Sequence, residues 1–394
     1  MGKQGKKHHD RRNGRSMRNE DDDPLPSSAY DPAISIPESS SRLEEETIKE
    51  DKYQELPLDG LSKFDLYQHS VQSPKGDISY IQKFFWTYVG GRSLLHLQED
   101  FCGTAFLSAE WLRSDPRRTV VGVDLDVESL KWGLKHNVDK VGGDAYSRIC
   151  LYHGNVLNSL SSAQLINSSL LEGENDNSLR NAEFEPSNVI EDDAVSHVKN
   201  LKLENNEKIQ EYQGRKGSSW PAADVVCAFN YSCCCLKSRS DLVLYFKKAL
   251  NAISNEGGIF VMDLYGGSSS EHALKFRRRY EDFTYIWEQE DFDIISRTTR
   301  ISLHFNLNKM QRSYRHAFTY HWRLWTLPEI KDCLEEAGFS SVHFWIREMP
   351  DIQGEEMEDY DVNDNVKYEE VSSFKQQGAW NAYIVAVTNK VEMR

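Results

Sequence analysis

The segment Gln98-Glu-Asp-Phe-Cys-Gly-Thr-Ala105 gathers two carboxylates, a thiol, a hydroxyl and a single glycine directly after the apolar run Ser93-Leu-Leu-His-Leu97. Small residues at a strand-to-helix turn let backbone approach a ligand closely. A further acid, Asp124, follows Gly103 by 21 residues and ends the apolar run Arg118-Thr-Val-Val-Gly-Val-Asp124. That spacing puts a carboxylate at the end of the next strand, where it suits a ribose diol. The turn has no G-x-G-x-x-G pattern, and Glu99 and Asp100 would repel a pyrophosphate. The chemistry favours a phosphate-free, cationic nucleoside. S-adenosylmethionine fits, since its sulfonium and ammonium both attract carboxylate and carbonyl oxygens.

The elements that must position these residues follow from periodicity. Ile78, Ile81, Phe84, Phe85 and Tyr88 recur at helical spacing over 78–89, and Gly90-Gly91 stops that helix. Apolar strands at 93–97, 118–124, 148–153, 224–230 and 259–264 alternate with helices at about 105–114, 127–137 and 242–253. Buried strands alternating with helices imply a parallel sheet covered on both faces. Residues 283–325 alternate with period two and predict two or three antiparallel strands, a small cap spanning about 270–325. Pro328 to Ala337 predicts a helix, with Pro in its first turn and Gly338 beyond its end. Two more strands are expected at 342–347 and 382–388. The whole reads as an α/β fold: a Rossmann-like, seven-stranded, mostly parallel sheet with an antiparallel C-terminal strand pair.

Leu97 to Ala105 resembles the first motif of the class I S-adenosylmethionine-dependent methyltransferases, in an E-D-F-C-G-T-A form also carried by bacterial and plant methyltransferase-like proteins. The resemblance extends over about 61–158, 220–350 and 378–388. It implies that Glu99 engages the methionine amino group through backbone or water, and that Cys102, Gly103 and Thr104 pass the methionine moiety. It places Asp124 on the ribose hydroxyls and Leu125 beside the adenine. It matches Gly154-Asn155-Val156 to the contact with the adenine amino group, and Asn230, Tyr231 and Ser232 to cofactor and substrate contacts. Phe101 and Ala105 stand where many members have glycine, and Asn155 where many have Asp; Asn still accepts through its carbonyl oxygen. The C-terminal helix and strand pair fit the same class, whereas a dehydrogenase would begin a second βαβ half.

In small-molecule methyltransferases of similar layout, strands such as 283–325 cap the substrate pocket. The run Phe318-Thr-Tyr-His-Trp-Arg-Leu-Trp325 puts Tyr320, Trp322 and Leu324 on one face and His321, Arg323 and Trp325 on the other. We expect His321 and Arg323 to face the cleft, the first as an optional general base, the second holding an anionic group of the substrate; packing and surface pairing are the competing reading. Tyr67 either closes over the cofactor or packs in the core. Cys233 to Cys235 are contiguous and cannot all reach one ion, so they read as packing rather than as a metal site. Arg277 to Arg279 read as a solvated helix end.

Composition bounds the rest. The formal charge is −15 over 394 residues. Its acidic excess lies in 19–50, 172–211 and 351–370, while residues 1–18 carry seven basic residues and one acid. The apolar remainder is nearly neutral, so the acidity describes solvated segments rather than a site. We expect a disordered tail at 1–55, a methyltransferase domain at 56–394, and disordered acidic insertions at about 159–219 and 351–370. Seven cysteines without C-x-x-C spacing fit a reducing compartment, cytoplasmic or nuclear. No apolar run suits a bilayer, so no membrane partner is expected. The basic cluster Lys6 to Arg18 matches a nuclear address or an RNA contact as well as a solubilising tail, which composition favours. The sequence names neither the methyl acceptor, a small molecule or a protein side chain, nor the oligomeric state. The alternative function is a non-catalytic methyltransferase-like binding module associated with RNA.

Overall fold

The computed structural model describes residues 28–30, 61–166, 220–308, 312–348 and 367–389. Two helices lead, α1 (Lys63–Val71) and α2 (Pro74–Tyr88). Ser62 caps α1 in a reciprocal box with Asp65, and Pro74 opens α2, whose exit turns left-handed at Gly90 and Gly91. The central strands are β1 (His96–Asp100), β2 (Thr119–Asp124), β3 (Ile149–His153), β5 (Val225–Ala228) and β6 (Ile259–Gly266), with a two-residue strand β4 (Gln164–Leu165) after β3. Helices α3 (Phe106–Ser114), α4 (Val127–Gly133), the short α5 (Ala145–Arg148) and α6 (Arg239–Ala252) connect them. The cap strands are β7 (Leu274–Arg279), β8 (Phe283–Gln289), β9 (Thr298–Leu307) and β10 (Arg312–Arg323). The chain ends with α7 (Leu327–Ala337), β11 (Ser341–Glu348), β12 (Glu369–Val371) and β13 (Trp380–Val387).

The main sheet runs β12-β11-β13-β6-β5-β1-β2-β3-β4. Strands β6, β5, β1, β2 and β3 are parallel, and β13 inserts antiparallel between β6 and β11. Burial on both faces follows from period two. Val225, Cys227, Ile259 and Val261 point into one core with Ile81, Phe84, Trp111 and Leu130. Val226, Ala228, Phe260 and Met262 point into the other with Phe246, Ile330 and Leu334. Asp224 fixes the start of this arrangement, accepting the Leu95 and His96 N–H groups and pairing with Arg92.

The sheet has nine strands rather than seven, because the short β4 and β12 extend its two edges. The cap is four strands, ordered β10-β9-β8-β7, rather than two or three. Its extra member, β7, is the segment read as a helix end. Arg278 there is buried, its guanidinium over the Tyr285 ring, because the cap closes onto it. Two stretches expected to be disordered carry buried contacts. Tyr30 is fully buried among Tyr265, Phe276 and Trp287. Tyr368 is buried beside Tyr80 and Tyr383, and β12 after it pairs with β11. In both, an aromatic residue within a polar composition supplies the apolar area that composition alone averages away. The insertion expected at about 159–219 is structured through Ile166; its remainder, 167–219, lies outside the described residues, as do 351–366 and the rest of the 1–55 tail.

Candidate functional site

The turn after β1 is held from three sides. The Cys102 N–H bonds the Val123 carbonyl at 3.0 Å, and the Gly103 N–H bonds Asp124 Oδ2 at 2.7 Å. Gln68 donates to Thr104 Oγ1 at 2.7 Å, and Asn137 donates to the Thr104 carbonyl at 2.8 Å. Gly133 packs so closely beneath that a Cβ there would lie 2.1 Å from the Thr104 carbonyl oxygen. The turn is also left-handed at Phe101, Gly103 and Ala105, and the turn after β5 repeats this at Asn230 and Tyr231. Left-handed backbone costs roughly 1–2 kcal/mol per non-glycine residue. Such strain persists only where surrounding bonds over-determine it. At 230–231 the Asp263 carboxylate supplies them, accepting the Asn230 and Tyr231 N–H groups at 2.9 and 2.7 Å.

These two turns meet at the carboxyl edge of the parallel strands and floor a cavity of about 340 Å³. From the β1 and β2 turns it is lined by Phe101, Cys102, Gly103, Thr104, Asp124, Leu125 and Asp126. Gly154 and Val156 line it after β3, and Asn230, Ser232 and Cys235 after β5. Phe64, Tyr67 and Gln72 enclose it from α1 and its C-terminal end, and Phe318, Tyr320 and Trp322 from cap strand β10. Leu125 is 62% exposed at this rim, an apolar side chain offered to whatever fills the cavity.

Electrostatically the lining is acidic. Among the described residues, the charged ones in the lining are Asp124 and Asp126. Asp124 accepts the Gly103 N–H on one oxygen and the Asp126 N–H, at 2.8 Å, on the other. Burial outweighs these donors and raises its pKa. Asp126 caps α4 through the Glu128 and Ser129 N–H groups. The Leu125 N–H also donates to the Asp124 carboxylate, which keeps lone-pair capacity for a further donor. Such a set can hold hydroxyls and a cation.

Of the residues singled out in the sequence, Tyr67, Phe101, Cys102, Gly103, Thr104, Asp124, Leu125, Val156 and Asn230 come together in the lining. Glu99, Asn155 and Tyr231 do not. Glu99 is buried and turned onto the first turn of α3, accepting the Ser108 N–H at 2.9 Å and the Ser108 hydroxyl. A carboxylate there complements the helix N-terminus, yet desolvation pushes its pKa up to about 8. The Asn155 carbonyl oxygen is taken by the Leu157 N–H at 2.9 Å, leaving Gly154 and Val156 at the wall. Tyr231 is buried, its hydroxyl donating to Asn381 Oδ1 at 2.8 Å.

The cap parity is the reverse of the expectation. Phe318, Tyr320 and Trp322 face the cavity; His321 is exposed outside it. Arg323 bonds Glu329 at 2.9 Å and the Lys237 carbonyl at 3.1 Å, and stacks on Trp325. A half-buried strand turns its larger aromatic set inward, and that weight of Phe318, Tyr320 and Trp322 was visible in the sequence. Phe64, Gln72, Asp126 and Ser129 are lining residues the sequence did not single out, and Cys235, read there as packing, is exposed and lines the cavity; their contribution depends on which way a helix end or turn faces. Cys233 and Cys234 are buried in the core, and no cluster suited to a metal ion occurs among the described residues. No described helix is long and apolar enough to cross a membrane.

No family model and no curated protein matches the sequence. Solved structures similar to it include an S-adenosylmethionine-dependent methyltransferase from Clostridium acetobutylicum, 14% identical, covering 79% of this chain and 89% of that one at a TM-score of 0.43. The CcbJ methyltransferase of Streptomyces caelestis is 11% identical over 82% of this chain and 95% of its own, at 0.46. An amino pentose methyltransferase of Micromonospora echinaspora, solved with S-adenosylmethionine bound, is 11% identical over 85% of this chain and all of its own, at 0.47.

Proposed function

We propose that the chain is an S-adenosylmethionine-dependent methyltransferase, and that the cavity at the carboxyl edge of β1, β2, β3 and β5 holds the cofactor. One observation carries the reading. The lining combines a close-approach turn with Asp124, whose carboxylate is oriented by the Gly103 N–H of that same turn. Nucleosides bind at this edge of a parallel sheet, and the acidic lining suits a cofactor that is cationic and free of phosphate.

In this reading Asp124 accepts the ribose hydroxyls, and Leu125, Gly154 and Val156 flank the adenine. Phe101, Cys102, Gly103 and Thr104 pass the methionine portion. Glu99 is a positioning residue that anchors α3 behind the turn. When bound, S-adenosylmethionine supplies an electrophilic methyl group. Tyr67 and the cap aromatics exclude water and confine the acceptor near that methyl, so positioning is the main catalytic contribution. His321 and Arg323 have no part in it.

Calorimetry of the full chain with S-adenosylmethionine tests the proposal. Saturable binding is expected, weakened roughly 10–100-fold in Asp124→Ala, which loses hydrogen bonds to a charged acceptor worth about 1.5–3 kcal/mol. An absence of heat at millimolar ligand refutes it.

A further inference from the structure

The register of cap strand β10 is set at one imidazole. Against β9, Tyr314 lies opposite Phe305 and Phe318 opposite Leu303, so the three residues 315–317 bulge against the single residue His304. A bulge re-aims the strand beyond it. Beyond this one stand Phe318, Tyr320 and Trp322, the aromatic wall of the cavity. The Phe318 ring lies 4.9 Å from that of Tyr67 and 6.1 Å from that of Phe64, so the same strand closes onto α1. Side chains alternate along a strand, and a slip by one residue would exchange this wall for Thr319 and His321. His304 itself stands on the other face of the cap sheet, since its neighbours Leu303 and Phe305 point into the core.

The bulge is strained at His316, whose φ of 50° is left-handed. Such backbone persists where a bond holds it, and the His316 N–H donates to His304 Nδ1 at 3.0 Å. To accept that bond Nδ1 must carry no proton, so the neutral ring has its proton on Nε2. Nε2 lies 3.0 Å from Glu288 Oε2. The charged and titratable groups facing this buried ring come from three strands: Glu288 on β8, Lys275 on β7, bonded to Glu288 at 3.2 Å, and His316 on β10. Arg315, in the same bulge, is exposed. Burial holds the His304 pKa below the ordinary histidine value, with His316 and Lys275 adding to the effect and Glu288 opposing it. Each protonation state therefore has its own partner. The neutral imidazole holds the β10 backbone, and an imidazolium would pair with the β8 carboxylate.

We propose that His304 and the β10 bulge form an acid-sensitive latch, which fixes the aromatic wall over the cavity while His304 is neutral and releases it when His304 gains a proton. The proton comes from solvent and takes the Nδ1 lone pair that the His316 N–H had used. That bond breaks, Glu288 holds the charged ring, and the bulge is free to change register. The sign follows from the lowered pKa: the bond is fully present above the ordinary histidine value of about 6.5 and is lost as pH falls through the lower folded value. The latch stands on the cap alone; its effect on a bound ligand rests on the cofactor reading above.

Hydrogen exchange of the full chain, read by mass spectrometry on the segment 312–323, tests it. Chains are compared with one another at the same pH, so that intrinsic exchange cancels. Asn places an oxygen near the position of Nδ1 and does not titrate in this range. At about pH 7.5 the parent and His304→Asn should exchange alike. At about pH 5 the parent should exchange about tenfold faster than His304→Asn, the weight of one buried hydrogen bond. His304→Leu, which has no acceptor, should exchange fast at both. Glu288→Gln should move the parent's transition to lower pH, because it withdraws the charge that favours the imidazolium. Exchange in β1, β2 and β3 should be the same in every chain, which reports that each folds. The affinity for S-adenosylhomocysteine, measured by calorimetry, should weaken on acidification by up to about tenfold more in the parent than in His304→Asn. Equal exchange of the parent and His304→Asn at about pH 5, or a transition that moves to higher pH in Glu288→Gln, overturns the latch. If no chain binds S-adenosylhomocysteine while the exchange pattern is as expected, the cofactor assignment is overturned and the latch stands.

Discussion

Tyr30 gives the sharpest test of how the cap is held. Its ring is fully buried against Tyr265, Phe276 and Trp287. The backbone beside it satisfies groups from four elements. Arg278 donates to the Ser28 and Ala29 carbonyls at 3.1 and 2.7 Å, and the Tyr285 hydroxyl to the Ala29 carbonyl at 3.1 Å. Asn381 donates to the Tyr30 carbonyl at 2.9 Å, and the Ser28 N–H bonds the Val71 carbonyl at the end of α1. Truncating a buried aromatic to alanine costs about 3–5 kcal/mol. At roughly 2–4 °C per kcal/mol for a domain of this size, Tyr30→Ala should lower Tm by roughly 10 °C. A chain starting at residue 31 should lose more than one starting at residue 27, because the Arg278 guanidinium is then left buried without its carbonyl partners. Differential scanning calorimetry of the three chains decides it. A Tm for the chain starting at residue 31 within about 1 °C of that starting at residue 27 would show that the segment contributes nothing to stability, and the account of the cap would fail.

Gly133→Ala should destabilise the fold by about 1–3 kcal/mol in urea and weaken S-adenosylmethionine binding together, because its Cβ would displace the Thr104 carbonyl of the lining turn. Glu99 and Asp263 are both buried carboxyls pushed up to about 8. A carboxyl raised in the folded state stabilises most while protonated, so the urea midpoint should fall as pH rises from about 5 to about 9. Glu99→Gln, still able to accept from Ser108, should flatten that slope; a midpoint rising over the range contradicts the assignment. His321→Ala should leave methyl transfer within about twofold and stability within about 0.5 kcal/mol, since its side chain is exposed away from the cavity. A large loss of turnover would restore it as a base.

Much of the scaffold was legible because its strands are short apolar runs between clear helix signals. The 93–97 run became β1 at His96–Asp100, three residues later, since polar Gln98, Glu99 and Asp100 are buried by hydrogen bonds that periodicity does not register. The helix expected over 127–137 ends at Gly133 and continues as a wider turn over Leu134–Val138, where Asn137 reaches back to Thr104. Asp124's place in the lining was legible because it follows from the end of a strand. Glu99 and Asn155 fall outside the lining because each has a backbone partner elsewhere, the Ser108 and Leu157 N–H groups.

The sequence by itself determined the order of elements, the parallel centre with its antiparallel ending, and the carboxylate that ends β2. These depend on local period and on residue type, which are written along the chain. Only the tertiary structure decided which face of β10 meets the cavity, that Glu99 turns onto α3 instead of into it, and that a tyrosine at position 30 belongs to the core. Each of those depends on what lies across space from a residue, and a strand's two faces or a polar segment's lone aromatic acquire meaning only when a second surface closes over them.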